Sequence, residues 1–154
     1  MTNQPMPTQP MTSQPMTTAA TRTLAIEREF SYPPEKIWRA LTEGELIKQW
    51  LMDNDFQPVL GHQFKFRSTP VPNWNGIIDC EVLVVEPNKK LSYTWGTLGM
   101  GTVVVWTLAA TSTGTVLRME QSGFGSDQDA AYKGATYGWN KFIGGMERVI
   151  AGLQ

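Results

Sequence analysis

The chain has 154 residues, with one cysteine, one histidine, 13 basic and 14 acidic side chains. A lone cysteine rules out an intramolecular disulfide, and one histidine beside one cysteine argues against a Cys/His zinc site. The net charge of −1 supplies no electrostatic footprint for nucleic acid or an anionic membrane, and no apolar run approaches the ~20 residues a membrane helix needs.

Residues 1–21 carry no charged side chain. From Gln4 they read Gln-Pro-Met-Pro-Thr, Gln-Pro-Met-Thr-Ser, Gln-Pro-Met-Thr-Thr, a tandem repeat of five residues in three copies. A proline every fifth residue removes donors and biases its predecessor away from the helical region. The segment reads as a disordered leader, or as an extension upstream of a start at Met16, with a proline-rich arm for a partner as the other reading. It lacks the basic and apolar regions of a secretory signal, and the chain is placed in the cytoplasm. Residues 22–154 hold every charge and suit one domain.

Thr23 to Phe30 alternates, with Leu24, Ile26, Arg28 and Phe30 on one parity, the pattern of a half-buried strand. Tyr32-Pro33-Pro34 ends it, and Pro34 suits the first position of a helix carrying Ile37, Trp38, Ala40 and Leu41. Thr42-Glu43-Gly44-Glu45 has the form of a capping box for a second short helix with Leu46, Ile47, Trp50 and Leu51. Gly61 to Glu120 is a run of alternating segments joined by turn chemistry, which predicts antiparallel strands in a meander. Ser126 to Asp129 offers a serine cap and first-turn acids for a long final helix. Its apolar stripe runs through Ala135, Trp139, Phe142, Met146, Val149 and Leu153. Gly134, Gly138, Gly144 and Gly145 interrupt it, for close packing, a kink at the Gly144-Gly145 pair, or room for a ligand.

One face of the predicted sheet collects Phe64, Phe66, Ile78, Cys80, Val82, Tyr93, Trp95, Val104, Trp106, Leu108, Leu117 and Met119. Covered by an amphipathic helix, that face either fills with side chains or keeps a cavity. Large flat aromatics with a few polar groups favour a small-molecule pocket. Phe66, Tyr93, Trp95, Trp106, Met119, Trp139 and Phe142 are its expected walls, with Tyr93, Gln121 and Arg28 orienting a polar end. Arg28, the one charge on the apolar parity, reads either as a snorkelling side chain or as an anchor for a carboxylate or phenolate. Catalytic chemistry is sparse: His62 sits in a turn, no nucleophile-elbow sequence occurs, and Asp53-Asn54-Asp55 fails the calcium-loop pattern. The glycine-rich segment from Gly96 to Gly101 lies between strands without a lysine, and Cys80 reads as a small core residue. No catalytic residue, metal or cofactor is assigned.

The segment from Glu29 to Thr42, with its Tyr32-Pro33-Pro34 and Ile37-Trp38, resembles the opening of the START-like (SRPBCC) superfamily, and more closely its branch of heat-shock-protein-90 ATPase activator homologues. Leu46 to Trp50, Gly61 with Phe64, Val82 to Trp95, Gly114 to Phe124, and Gly138-Trp139 follow in the family's order. Where many relatives carry a histidine, this chain has Gln121. The resemblance implies an α+β helix-grip fold. A curved antiparallel sheet would wrap a long C-terminal helix, with two short helices after the first strand and a deep hydrophobic cavity between sheet and helix. Three functions are expected: non-catalytic binding of a small apolar or aromatic molecule, a cyclase- or hydrolase-like enzyme on the same pocket, or a chaperone co-activator. The last would use the outer surface with Trp74 as contact; self-association through the leader or the Trp74 loop is a further partner reading.

Overall fold

The computed structural model describes residues 22–153; the repeat-bearing leader, and any boundary drawn for it, lies outside the described residues. The elements run β1 (Arg22–Phe30), α1 (Pro34–Thr42), α2 (Gly44–Trp50), β2 (Asp53–Asn54), β3 (Gln63–Arg67), β4 (Ile77–Glu86), β5 (Lys90–Thr97), β6 (Met100–Ala110), β7 (Thr115–Phe124) and α3 (Asp129–Ala151). The strands form one antiparallel sheet in the order β1-β7-β6-β5-β4-β3-β2. Strands β2 to β7 are a meander, and β1 pairs with β7. A bulge in β4 places Val82 opposite Tyr93 and Val84 opposite Ser92, leaving Leu83 as the extra residue. Bulges increase local twist, which helps the sheet curl round α3. This is the expected α+β helix-grip fold.

Alternation decides which face curls inward. All twelve residues of the inward list are buried, while Lys65, Arg67, Asp79 and Leu83 stand on the outer face. On α3 the fully sequestered line is Trp139, Ile143, Met146 and Ile150, spaced by four, three and four. The stripe read from sequence is therefore rotated slightly round the helix: Ala135, Phe142 and Val149 flank the contact instead of centring it. The helix is continuous through Gly144 and Gly145. A Cβ on Gly145 would stand 3.7 Å from the Trp50 Cβ, so that glycine serves close packing of α2 on α3. The Trp50 indole donates 2.8 Å to the Ala40 carbonyl and tucks both short helices under the sheet's end.

Two capping expectations are corrected. Thr42 does not cap α2; it is the last residue of α1, and its hydroxyl donates 2.6 Å to the Trp38 carbonyl one turn back. Glu43 alone joins the two helices, in extended conformation, and its carboxylate accepts from Arg39 at 2.9 Å, so neither residue caps with its side chain. Similarly, Ser126 lies within a turn closed by the Gln128 N–H on the Gly125 carbonyl, and α3 starts only at Asp129, with Gln128 at its cap position. The Gln128 side chain turns back to accept from the Gly125 N–H at 2.7 Å.

Gly114 fits where no other residue does. It closes the β6–β7 hairpin beneath the end of β1, and a Cβ there would run into the Phe30 carbonyl. Gly114→Ala is expected to cost about 1–3 kcal/mol. Gly101→Ala, where a Cβ meets nothing within 4 Å, should stay within about 0.5 kcal/mol. Urea titrations of both variants check this: a lowered midpoint at unchanged slope is expected for Gly114→Ala alone.

Candidate functional site

Aromatic rings fill the middle of the concave face. Phe64, Phe66 and Tyr93 meet at centroid distances of 5.2 to 6.0 Å, Phe66 meets Trp95 at 5.3 Å, and Trp106 sits edge-on between Trp50 at 5.8 Å and Trp139 at 5.5 Å. Offset and edge-to-face contacts of this kind stabilise a core beyond the area they bury. The space between sheet and helix is therefore filled along most of its length.

It opens at one end. A cavity of about 290 Å³ lies between the β5–β6 hairpin, the β3–β4 loop and the first half of α3. Its lining is Met52, Trp74, Ile78, Trp95, Thr97, Leu98, Met100, Gln121, Ala131, Gly134, Ala135, Gly138, Trp139 and Phe142. None of these side chains ionises. Larger depressions, one on the outer face of β3 and β4 and one beside the β4–β5 turn, are lined largely by charged and polar residues.

The hairpin at the rim is built from local chemistry. Leu98 and Gly99 are its two loop residues, at φ 53° and 77°. Positive φ at both positions is the type I′ geometry, whose twist matches the flanking strands. A leucine there is unusual, since its Cβ crowds the backbone, and its side chain stands 63 % exposed over the cavity. The Trp74 indole donates 2.7 Å to the Thr97 hydroxyl, which in turn donates 2.9 Å to the Ile77 carbonyl. These two bonds tie the β3–β4 loop to the hairpin and close one wall.

The inner end is governed by Gln121. Its Oε1 accepts from the Trp139 indole at 2.8 Å, its Nε2 donates to the Thr102 hydroxyl at 2.9 Å, and Thr102 donates to the Trp95 carbonyl at 2.8 Å. An indole can only donate, so the amide orientation is dictated by chemistry. The relay links α3 to β7, β6 and β5 and satisfies polar groups that are otherwise costly to bury.

Of the nine residues expected at a site, Trp95, Gln121, Trp139 and Phe142 line this cavity. Phe66, Tyr93, Trp106 and Met119 lie in the packed interior, outside the lining. The Tyr93 hydroxyl accepts from the Trp106 indole at 2.9 Å, and burial pushes its phenol well above its ordinary pKa. Arg28 is elsewhere: its guanidinium lies 3.8 Å from where a Cβ on Gly144 would stand. Gly144 is two residues from Phe142, roughly 200° round the helix from it. Leu98, Met100, Met52 and Thr97 were not anticipated as walls, whereas room for a ligand was one of the readings offered for Gly134 and Gly138. For the glycines a signal existed, their spacing of four on the helix; the rim residues come from loops and strand ends, where no periodicity marks a face.

Cys80 is buried, and burial first, then the Asp79 and Asp55 charges, push its thiol well above its usual range. Among the described residues, no group of three or more His, Cys, Asp and Glu side chains could hold a metal ion, and no helix is long and apolar enough to cross a membrane.

The family of Activator of Hsp90 ATPase homolog 1-like proteins matches residues 31–151. The chain belongs to this family. A crystal structure of a Mesorhizobium loti protein is 50 % identical, with a TM-score of 0.81, covering 86 % of this chain and 99 % of its own. A Bacillus halodurans protein solved in solution is 27 % identical, with a TM-score of 0.71, covering 84 % of this chain and 96 % of its own. DynU16, a protein from the dynemicin biosynthetic locus, shares the fold at 22 % identity and a TM-score of 0.73, over 84 % of this chain and 47 % of its own. No curated protein matches the chain significantly. The family match begins just after β1 and includes every residue lining the cavity.

Two outcomes follow from the buried groups. Trp139→Phe strips Gln121 Oε1 of its donor, and a buried acceptor left unpaired costs about 1–3 kcal/mol; the urea midpoint is expected to fall accordingly. Native protein should resist alkylation of Cys80 by iodoacetamide at neutral pH, because the thiolate is both suppressed and shielded. Mass spectrometry should find one adduct after unfolding and none before.

Proposed function

We propose that the protein binds a small apolar or aromatic molecule in the cavity between the β5–β6 hairpin and α3, without catalysing its conversion. The carrying observation is the lining itself: apolar and aromatic side chains converge on a few neutral hydrogen-bonding groups. Concave, mostly apolar sites with few polar groups are what small-molecule pockets share, usually at about 300–1,000 Å³. At about 290 Å³ this one suits a ligand of one or two rings. Trp95 and Trp139, whose ring centroids are 5.0 Å apart, form its inner aromatic wall. A cyclase- or hydrolase-like reaction would need an acid or base reaching the ligand, and the lining side chains are all non-ionising.

The helix wall supports the same reading. Gly134 and Gly138 face the cavity, and a Cβ on Gly134 would meet nothing within 4 Å. Each glycine in a helix interior costs about 1 kcal/mol relative to alanine. Keeping two of them on the cavity side trades helix stability for open volume.

The test is thermal melting with p-xylene as probe. A ligand at a hundred times its Kd adds about 2.7 kcal/mol to stability, so the melting temperature should rise with probe concentration. Gly138→Leu should abolish that rise by filling the cavity. No shift with p-xylene or any other apolar aromatic probe would remove the proposal.

The family description supports a second reading, stimulation of a chaperone ATPase through the outer surface. Trp74, its nominated contact, is half-buried with its N–H committed to Thr97. The contact would therefore be made by the loop as a rigid unit. Stimulation of Hsp90 ATPase turnover on adding the protein supports this reading, and unchanged turnover rejects it.

A further inference from the structure

We propose that the cavity selects electrically neutral molecules: a flat apolar body carrying one uncharged hydrogen-bonding group, such as a phenol, ketone or lactam, seated against the Gln121 amide. The inference rests on the ligand-binding reading above and names the chemical class that site takes.

Hydrogen-bond accounting at the inner end carries it. The Trp139 indole is a donor only, so the amide atom it meets at 2.8 Å must be Oε1. Nε2 then faces Thr102 at 2.9 Å, whose own proton goes to the Trp95 carbonyl. A carboxamide has two N–H donors and two oxygen lone pairs. One of each is consumed by this relay, so one donor and one acceptor of the amide are left without a partner among the described residues. Thr97 receives the Trp74 N–H and donates to Ile77, and the Trp139 N–H is spent on Gln121, while the Trp95 indole N–H makes no hydrogen bond among the described residues. Gln121, only 1 % exposed, is thus the lining side chain with both a donor and an acceptor to spare, the Trp95 indole offering a donor alone.

The charge preference follows from what surrounds that amide. No lining side chain is ionisable, so a bound carboxylate would lose its hydration without gaining a counter-ion, which costs far more than a neutral group's desolvation. Arg28, the cation on the apolar parity of β1, lies against Gly144 on another side of α3 and cannot serve as that counter-ion. A single neutral hydroxyl or carbonyl instead takes up the spare amide valence, and Trp95, Trp139 and the Gly134–Gly138 strip accept a flat body.

Isothermal titration of the full chain at neutral pH with p-xylene, p-cresol and p-toluate tests this. The three share one ring and differ in one substituent: methyl, neutral hydroxyl or ionised carboxylate. A neutral hydrogen bond is worth about 0.5–1.5 kcal/mol, so p-cresol should bind about two- to tenfold tighter than p-xylene, and p-toluate should bind weakest. In Gln121→Leu the ratio of p-cresol to p-xylene affinity should fall to about one; a ratio cancels any general loss of stability. If that variant fails to fold, the wild-type series still decides. Tight p-xylene binding with p-cresol no better, or with p-toluate equal to p-cresol, overturns neutral selection and leaves the apolar-ligand reading standing. Retention of the p-cresol advantage in Gln121→Leu overturns the role of the amide. Failure of all three probes to bind removes both proposals.

Discussion

The relay from the Trp139 indole through Gln121 and Thr102 to the Trp95 carbonyl is the constraint around which the concave face is arranged. An aromatic face this large would satisfy itself by apolar contact alone and could slide against the helix. The relay removes that freedom. Each donor in it has one acceptor, the direction is set by the donor-only indole, and the cost of leaving any member unpaired in a low-dielectric interior is high. It therefore sets the register of α3 over β5, β6 and β7, and with it the position of Gly138, the residue before Trp139, and of Gly134, more than one turn upstream.

Once that register is set, the rest of the face divides into two regions. Towards α1 and α2, Trp106, Trp50, Met146 and Ile150 pack against one another with almost no exposed surface. Towards the β5–β6 hairpin, the helix presents two glycines and two alanines, Ala131 and Ala135, which are too small to reach the sheet. The cavity is the consequence: its volume is what those side chains do not fill. Its rim is held by Trp74 and Thr97, so the opening is framed by hydrogen-bonded elements even though its residues belong to loops.

An amide at position 121 has a physical consequence in this frame. An imidazole adds an ionisable group where the amide adds none. With Gln121 the inner end gains no titratable charge, consistent with a lining made entirely of neutral side chains. The charges of the protein lie elsewhere: Lys65 with Asp79, Arg67 with Asp55, and Arg118 with Glu27 and Glu120, all on the solvent side of the strands and part-exposed. Exposed pairs of this kind contribute little to stability individually, and they leave the interior to apolar contact and the relay.

Strand alternation, the Pro33-Pro34 step and the turn residues determined the strands other than β2 and the inward face, because a period of two allows only one parity to be buried, whereas the helix-grip arrangement was implied by the family resemblance. The identity of the inward residues was therefore legible from the chain alone, down to Gln121 on the last strand. Which of them touch a cavity was not. Phe66 and Trp106 share parity and chemistry with Trp95, yet only Trp95 borders open space, since that depends on which residue of α3 stands opposite. The helix caps at Thr42 and Ser126 differed for a similar reason: burial of Ala40 and Leu41 and the Gly125 turn moved each boundary past the residue that local propensity favours. Arg28 was assigned to the right face, but the twist of the sheet carried its guanidinium to Gly144, away from the cavity. Period and parity are local properties of a chain; facing partners and leftover volume exist only once the helix has docked on the sheet.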